Sequence, residues 1–250
     1  MKHISLFIIL LILSVSTYGQ DETIIEMEGD RPDQTESAAL IPVHSLQIEN
    51  GFSFENISNE HSSIAYSSLL LRYGLWKNFE LRFASEFIQD KNLNKLNLGF
   101  SPFSPGIKVH IREEKGVLPQ VALLAHFDLP GTGHPNFQNE HLNTSVFLSI
   151  AYSIGEKAGI GSNFGVSMNN EIPEYFYSLV FGFNPLEPLG IFIETYGYPV
   201  KGQNLDARID AGITYKLRNN FQIDIAGGFG LTENSINNFI TAGFVLRIPK

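Results

Sequence analysis

Apolar and polar residues alternate one by one along most of this chain. In the stretch LDARIDAGITYKL, residues 205–217, apolar or aromatic side chains occupy every odd position, and polar or small residues stand between them. A period of two puts these two sets on opposite faces of a β-strand, whereas the 3.6-residue turn of a helix would mix them. The next stretch, NFQIDIAGGFG, repeats the alternation after the polar LRNN. The two stretches are therefore predicted to form a β-hairpin.

The same alternation recurs at short intervals through the rest of the chain. In SVFLSIAYSI, for example, Leu148 and Ile150 fall on one face and Ser149 falls on the other. Counting such runs predicts about twelve strands. The predicted strands span residues 44–55, 63–74, 78–89, 104–112, 117–129, 144–154, 158–169, 175–184, 189–198, 205–217, 220–230 and 238–248.

The connections between these strands also alternate, in length. Tight ones such as LWKN, REEKG, GEKA, NPLEP and LRNN take turns with longer ones such as NISNEHS, the stretch from Lys91 to Phe103, GTGHPNFQNEHLN and TENSINN. Outer-membrane barrels have short periplasmic turns on one rim and longer loops on the other. The predicted fold class is all-β, an antiparallel up-and-down transmembrane β-barrel of about twelve strands. An even strand number places both termini on the periplasmic side.

The first twenty residues have the layout of a secretory signal peptide. Lys2 precedes an apolar core from about Leu6 to Val15, and small or polar residues follow near Gly19. That core is shorter than the roughly 20 apolar residues that a membrane-spanning helix needs. The expected organisation is a signal peptide at 1–20, a periplasmic N-terminal segment and candidate plug at 21–43, and an outer-membrane barrel at 44–250.

Composition narrows the class of protein further. The formal charge of −9 becomes −10 when Lys2 leaves with the signal peptide, which argues against nucleic acid as a partner. The chain has no cysteine, so a disulfide framework is excluded and stability must come from burial or from a closed sheet. Its 22 glycines, 20 phenylalanines and 9 tyrosines suit tightly packed strands and the aromatic girdles of a barrel in lipid.

The polar faces of the predicted strands carry acids and bases in nearly equal number. The candidate lumen residues on these faces are Arg72, Glu80, Arg82, Glu86, Lys108, Glu194, Asp206, Arg208, Asp210 and Asp224, and further charges there are Glu49, Glu55, Arg112, Asp128, Lys216 and Arg247. One interpretation is a lumen filled by ion pairs that hold the wall together. The other is a narrow polar passage or ligand cavity, since a barrel of about twelve strands is wider than the eight-stranded kind that side chains fill.

Three motifs resemble a known family. They are DRPDQTES at Asp30–Ser37, IPVHSLQIENGFSFE at Ile41–Glu55 and DLPGTG at Asp128–Gly133. Together they resemble the outer-membrane proteins named for the meta-pathway of phenol degradation, which are transporter-like barrels, and the resemblance covers essentially the whole mature chain. It implies a channel for small molecules, hydrophobic or aromatic ones included. The chain has Ala38 where the family commonly has proline after the first motif.

The first motif is too polar for lipid, and its Pro32 cannot join a central strand. If the segment enters the lumen, Arg31, Asp33 and Glu36 would pair with charges on the wall and partly close the periplasmic mouth. The alternative is a mobile periplasmic tail. The sequence alone leaves both open.

Enzyme and metal sites have weaker support. The stretch HFDLPGTGHPNFQNEH contains His126, Asp128, His134, Glu140 and His141, but their spacing matches no established metal site, so a surface loop is the favoured interpretation. Hydrolysis would need a serine with an activating base, and Ser167, Asn163 and His126 fall on inward faces without a nucleophile motif. We expect no enzyme activity and no cofactor.

The function expected from the sequence is passive passage or binding of small molecules across the outer membrane. The expected partners are outer-membrane lipid, a small-molecule solute and the barrel-insertion machinery of a Gram-negative cell. One alternative is a structural or adhesive barrel whose lumen is sealed by ion pairs. A smaller alternative is a secreted soluble β-sandwich.

Overall fold

The computed structural model describes residues 27–169, 172–199, 202 and 204–248. The predicted signal peptide at 1–20 and the first part of the N-terminal segment, up to residue 26, lie outside the described residues. Within the described part of the chain, no helix is long and apolar enough to cross a membrane.

The described residues form thirteen antiparallel strands, each built on the alternating pattern. The strands are β1 (Leu46–Ser58), β2 (His61–Trp76), β3 (Phe79–Asn92), β4 (Lys95–Phe100), β5 (Ser104–Arg112), β6 (Gln120–Asp128), β7 (Asn143–Ile154), β8 (Ala158–Asn169), β9 (Ile172–Leu186), β10 (Leu189–Tyr198), β11 (Asp206–Arg218), β12 (Phe221–Gly230) and β13 (Asn238–Ile248). Consecutive strands pair with each other except β4 and β5, which both pair with β3. Strand β1 also pairs with β13, so the sheet closes on itself.

The ring has twelve wall positions because β4 and β5 share one of them. Both pair with β3: β4 with its distal half, residues 87–92, and β5 with its proximal half, residues 79–84. Ser101, Pro102 and Phe103 lie between the two strands and are not part of either. The predicted closed antiparallel barrel of twelve strands is therefore confirmed. Closure removes sheet edges, which is what allows strands to span a bilayer.

Two predicted connections are wrong in length. The segment NISNEHS is mostly strand, since Asn56 pairs with Ser62, and the turn shrinks to residues 59–60. The stretch from Lys91 to Phe103 likewise contains a tight turn at 93–94 followed by β4. The cause is that ladder hydrogen bonds extend each hairpin through polar residues, which the apolar pattern does not mark.

One predicted strand start is also displaced. The strand expected from residue 117 begins at Gln120, because Lys115 and Leu118 exchange backbone hydrogen bonds in a tight turn before it.

The outer surface is apolar and carries a belt of aromatic rings. Outward side chains such as Leu81 are 40% exposed, as expected for groups that face lipid rather than protein. Phe52, Tyr66, Phe87 and Phe100 form a chain of ring contacts across β1 to β4, with centroids 5.0–6.4 Å apart. Such girdles mark the membrane interface of outer-membrane barrels.

The two rims differ. Four tight connections lie on the rim that holds the start of β1 and the end of β13, at residues 77–78, 155–157, 187–188 and 219–220. A fifth connection on this rim, residues 113–119, is longer, but the longest of the described connections, residues 129–142, lies on the opposite rim, where residues 231–237 also lie. By the general asymmetry of these barrels, the first rim is periplasmic and the second extracellular.

Candidate functional site: a charged segment inside the lumen

Residues 27–43, here called the lumen segment, run inside the barrel before β1 begins. Ala38 and Ile41 are almost fully buried. The backbone N–H of Ile41 donates to Glu80 Oε2 on the inner face of β3 at 3.0 Å. The contacts described below reach seven further strands, so the segment crosses the lumen and is not attached at one rim alone.

Two buried arginines of the wall repel each other, and the lumen segment supplies the carboxylate that lies between them. Arg72 and Arg82 stand directly opposite each other on β2 and β3 and are both buried, an arrangement that repels. Asp30 of the lumen segment lies between them, with Oδ2 3.1 Å from Nη1 of Arg72 and 2.7 Å from Nη1 of Arg82. Its Oδ1 lies 3.5 Å from Nζ of Lys108 on β5. One carboxylate therefore bridges bases on three strands.

Three more carboxylates complete the network. Glu49 on β1 lies 3.1 Å from Arg72, and Glu80 lies 2.7 Å from Nε of the same guanidinium. Glu36 of the lumen segment lies 2.8 Å from Nη2 of Arg82. Two wall carboxylates alone would leave the three bases short of counter-charge, and the segment supplies the other two. Buried ions of this kind are stable only as a completed network.

Arg31 fastens the segment to another part of the wall. Its Nη2 donates to Asp224 Oδ1 on β12 at 2.9 Å and to Thr241 Oγ1 on β13 at 3.0 Å. Gly51 and Gly243 make room for this guanidinium, because a Cβ at either position would collide with it. The glycines are thus required by a close approach of the segment.

The polar residues that follow bind the wall on the far side. The N–H of Gln34 donates to Glu194 Oε2 at 2.7 Å, and the hydroxyl of Thr35 donates to the other oxygen of Glu194. The N–H of Glu36 donates to Asn163 Oδ1 at 2.6 Å, and the Asn163 amide donates back to the Glu36 carbonyl at 3.0 Å. The segment is therefore held by β8 and β10 as well as by β2, β3, β5, β12 and β13.

The acids of the lumen segment titrate differently. Burial acts to raise the pKa of Asp30, but the bases around it, Arg72 foremost, outweigh burial and hold that pKa well below its usual range. Burial raises the pKa of Asp33 well above its usual range, and the Glu194 carboxylate adds to the effect. Burial raises the pKa of Glu36 to about 8, against the lowering effect of its arginine partner.

A cavity of about 440 Å³ lies beside the segment on the periplasmic side. Inward-facing glycines of β8 and β9 line it, Gly159, Gly161 and Gly182 among them, and it reaches the turn at 155–157. A Cβ on Gly182 would have no heavy atom within 4 Å, whereas one on Gly161 would lie 3.3 Å from Thr35. The open space therefore follows the glycine-rich wall.

Aromatic rings line the same wall nearer the extracellular rim. Phe147 contacts Phe176 at 5.7 Å between centroids, Phe176 contacts Tyr198 at 5.3 Å, and Tyr198 contacts Tyr196 at 6.1 Å. The guanidinium of Arg208 lies 5.2 Å over the Tyr198 ring. We call the four rings of Phe147, Phe176, Tyr196 and Tyr198 the aromatic lane. It spans β7 to β10 inside the barrel.

The loop 231–237 folds toward this lane. Ile236 is buried against Tyr196 and Phe239. The hydroxyl of Thr232 donates to the Leu205 carbonyl at 2.6 Å, which ties the loop to the chain entering β11. Apolar and aromatic groups therefore narrow the extracellular half of the lumen next to β10.

The structure brings most of the predicted lumen residues into one region. Those that contact the lumen segment or its ion-pair network are Arg31, Glu36, Arg72, Glu80, Arg82, Lys108, Glu194 and Asp224. Three others, Asp206, Arg208 and Glu86, lie toward the extracellular rim. Arg208 forms an ion pair with Asp206 at 2.6 Å, and the Glu86 carboxylate accepts a hydrogen bond from the Ser68 hydroxyl at 2.5 Å. Asp33 was expected to pair with wall charges, but the groups that act most strongly on it are the carboxylates of Glu194 and Asp210.

Sequence reasoning missed several residues of this site. Asp30 belongs to the quoted motif, yet its role as a bridge depends on distant strands. Thr35 and Ser178 are uncharged: Thr35 belongs to the quoted motif, and the only signal of Ser178 is an inward position in the alternating pattern. Asn163 was expected to face inward, but its role in binding the segment was not predicted. The Ser178 hydroxyl donates to Thr35 Oγ1 at 2.7 Å, because the one hydroxyl proton of Thr35 is donated to Glu194.

The catalytic candidates are not placed to react. Ser167 and His126 both lie opposite Ser145, on the two strands that flank β7. Two strand spacings of about 4.7–4.9 Å each separate them, beyond hydrogen-bond reach. Asn163 is occupied by the lumen segment. Within the described ranges, no group of three or more His, Asp or Glu is placed to hold a metal ion.

Comparison with known proteins agrees with this architecture. An outer-membrane channel from Pseudomonas putida F1 is similar over 88% of this chain and 100% of its own, with a TM-score of 0.68 and 12% identity. The KdgM porin is similar over 80% of this chain and 98% of its own, with a TM-score of 0.59 and 9% identity. No curated protein sequence matches this chain. At such identities the structures show a shared fold.

The closed barrel, its apolar outer face and its aromatic belt place the protein in the outer membrane. The profile of one protein family matches residues 29–248, which includes the lumen segment from Gly29 and every wall strand. Over that span the match takes in both the charged motif and the strands that bind it. The chain therefore belongs to the family described as "Putative MetA-pathway of phenol degradation".

Proposed function

We propose that the protein is a passive outer-membrane channel for small solutes, aromatic and hydrophobic ones included. The observation that carries this proposal is the division of the lumen. The lumen segment crosses the barrel, but the ion-pair network around Asp30 lies on the side of β2, β3 and β5. The cavity beside the segment and the aromatic lane lie along β7 to β10. Flat rings favour offset or edge contact with other rings, worth about 0.5–1.5 kcal/mol beyond area burial. The family description points to the same class of solute.

The proposal includes the organisation expected from the sequence. Residues 1–20 would be removed as a signal peptide, residues 21–43 would form a periplasmic segment and plug, and residues 44–250 would be inserted by the barrel-assembly machinery. The proposed role is non-catalytic. The similarity of fold to channels supports it.

Gly182 gives a direct test of the route. Gly182→Trp should fill the open space beside β9 and reduce single-channel conductance in planar bilayers, along with phenol flux into proteoliposomes. Phe181→Trp is the matched control, since Phe181 is the neighbouring residue and is 44% exposed on the lipid face. Equal conductance and equal flux in both variants would contradict a route along this wall.

A sealed structural barrel is the second candidate. The completed ion-pair network around Asp30 favours it, because it fills the lumen on one side with fixed charge. Folded protein that gives no conductance and no solute flux would support the sealed barrel and contradict the channel.

A further inference from the structure

Two carboxyl groups face each other inside the barrel without a base between them. Glu194 on β10 and Asp210 on β11 are directly opposite partners in the sheet. Both point inward, and their exposure is 1% and 3%. Like charges directly opposite on one face of an antiparallel pair destabilise it. Burial makes the repulsion stronger, because water no longer screens it.

Their hydrogen bonding is unequal. Glu194 accepts from the Gln34 N–H and the Thr35 hydroxyl of the lumen segment. No N–H or hydroxyl group of the described residues donates to either carboxyl oxygen of Asp210, whose hydrogen-bonding neighbour is the Glu194 carboxyl itself. An ionised carboxylate that is buried without a donor or a base destabilises the folded protein, and such a group usually takes up a proton.

The third acid of the group arrives with the lumen segment. Asp33 directly precedes the two residues that bind Glu194, and burial and the carboxylates of Glu194 and Asp210 raise its pKa. We call Asp33, Glu194 and Asp210 the acid trio.

The charged groups on neighbouring elements are engaged elsewhere. Arg31 pairs with Asp224 of β12, and Arg208 of β11 pairs with Asp206. Asp30 is held by the bases of β2, β3 and β5. The hydroxyl of Ser178 on β9 faces the region and is hydrogen-bonded to Thr35. No metal-binding group of three acids or histidines occurs within the described ranges.

We propose that the acid trio is a proton-operated latch, which keeps the lumen segment docked while the trio shares at least one proton and releases it when the trio is fully ionised. Docking brings Asp33 to two acids that already oppose each other. Full ionisation then places three negative charges together in the lumen. Loss of the proton therefore pushes the segment away from β10 and β11.

The sign of the pH dependence follows from proton linkage. A docked segment that holds a proton which the free segment would lose becomes less stable as pH rises. For each linked proton, the equilibrium constant for docking falls up to tenfold per pH unit, over the range between the pKa of the acid in the free segment and its pKa in the docked segment. Asp30 acts in the opposite sense, but its lowered pKa confines that effect to acidic pH. Glu36, whose pKa is about 8, acts in the same sense as the trio, so the trio's own share is the part of the mobility change that Asp210→Asn alters.

Mobility of the segment can be measured without any transport assay. The chain has no cysteine, so Ser37→Cys creates a single site for a nitroxide spin label. The full chain, refolded in detergent and in lipid vesicles, is titrated from pH 5 to pH 10 at constant salt. The latch predicts a slow, immobilised spectrum at low pH and a growing mobile fraction at alkaline pH.

Two carboxyl variants decide whether the trio is responsible. Asp210→Asn, made in the labelled chain, should move the midpoint of the mobility change upward by about one pH unit or more, since the amide cannot ionise. Glu86→Gln removes a different lumen carboxyl, which lies toward the extracellular rim, and should leave the midpoint unchanged. A pH-independent spectrum in the parent, or equal midpoints in parent and Asp210→Asn, would overturn the proposal.

Calcium separates a proton latch from a cation site. At alkaline pH, millimolar calcium chloride should leave the mobile fraction unchanged. If calcium restores the immobilised spectrum in the parent and fails to do so in Asp210→Asn, the trio binds a cation and the latch is wrong. Conductance recorded in parallel should rise with the mobile fraction. A mobility change without conductance would refute the proposed channel and leave the latch intact.

Discussion

Replacing Arg82 by glutamine should release the lumen segment while leaving the barrel closed. Arg82 is fully buried and lies 2.7 Å from Asp30, 2.8 Å from Glu36 and 3.4 Å from Glu80. Asp30 and Glu80 keep Arg72 as a partner. Glu36 loses the base to which it is paired.

The magnitude follows from removing one member of a buried network. Breaking a buried ion pair costs about 3–5 kcal/mol, because the remaining ion is left buried and uncompensated. At 1.4 kcal/mol per tenfold change, this shifts segment docking by roughly 10² to 10³-fold. Protonation of Glu36 offsets part of the cost, since its pKa is about 8 even beside Arg82. The effect of Arg82→Gln should therefore be larger at pH 9 than at pH 6.

Single-channel recording in planar bilayers measures the result. Arg82→Gln should show larger or longer openings than the parent, and heat-modifiable gel migration should confirm a folded barrel. Arg112→Gln is the control, because Arg112 lies on β5 but is exposed near the periplasmic rim. The double variant Arg82→Gln with Glu36→Gln removes both charges and should recover part of the closed behaviour. Conductance of Arg82→Gln no greater than that of Arg112→Gln would refute the anchoring role of this network.

Three further outcomes are expected. Ile209→Arg puts a charge on the lipid face and should lower the free energy of unfolding in urea by about 2–4 kcal/mol, whereas Asp210→Asn should stay folded. If Asp210→Asn destabilised the barrel more than Ile209→Arg, the register of β11 would be wrong. Gly51→Val should displace the guanidinium of Arg31 and increase conductance, with folding unchanged on heat-modifiable gels; unaltered conductance would contradict that close approach. Burial raises the pKa of Glu36 from 4.5 to about 8, so docking of the lumen segment should weaken as pH rises through that range. Glu36→Gln should therefore reduce the pH dependence of conductance, and an unchanged pH profile would refute this role of Glu36.

The strand pattern could be predicted because a barrel wall imposes a strict period of two. Lipid outside and polar groups inside force residues 205–217 to alternate, and Asp210 is inward in the structure as its position in that pattern indicates. Strand ends were harder to place. Hairpins such as β1–β2 continue into polar residues, where ladder hydrogen bonds persist without an apolar signal.

The candidate site was only partly predictable, because its contacts join residues far apart in sequence. Arg31 and Asp224 are 193 residues apart, and nothing local to either marks the pair. The opposition of Arg72 and Arg82 follows from the register of β2 and β3 and could be drawn from a correct hairpin. That Asp30 would lie between them depends on the path of the lumen segment, which neither periodicity nor charge defines.

Deletion of residues 21–37, which removes most of the lumen segment, shows directly whether this segment controls the passage. A chain lacking residues 21–37, with the signal peptide retained, is compared with the full chain in planar bilayers, and heat-modifiable migration verifies the fold of both. The account predicts a folded barrel with clearly higher single-channel conductance and faster entry of small solutes, since the segment no longer crosses the lumen. A folded deletion variant with the same conductance and the same permeability as the full chain would contradict the claim that this segment controls the passage.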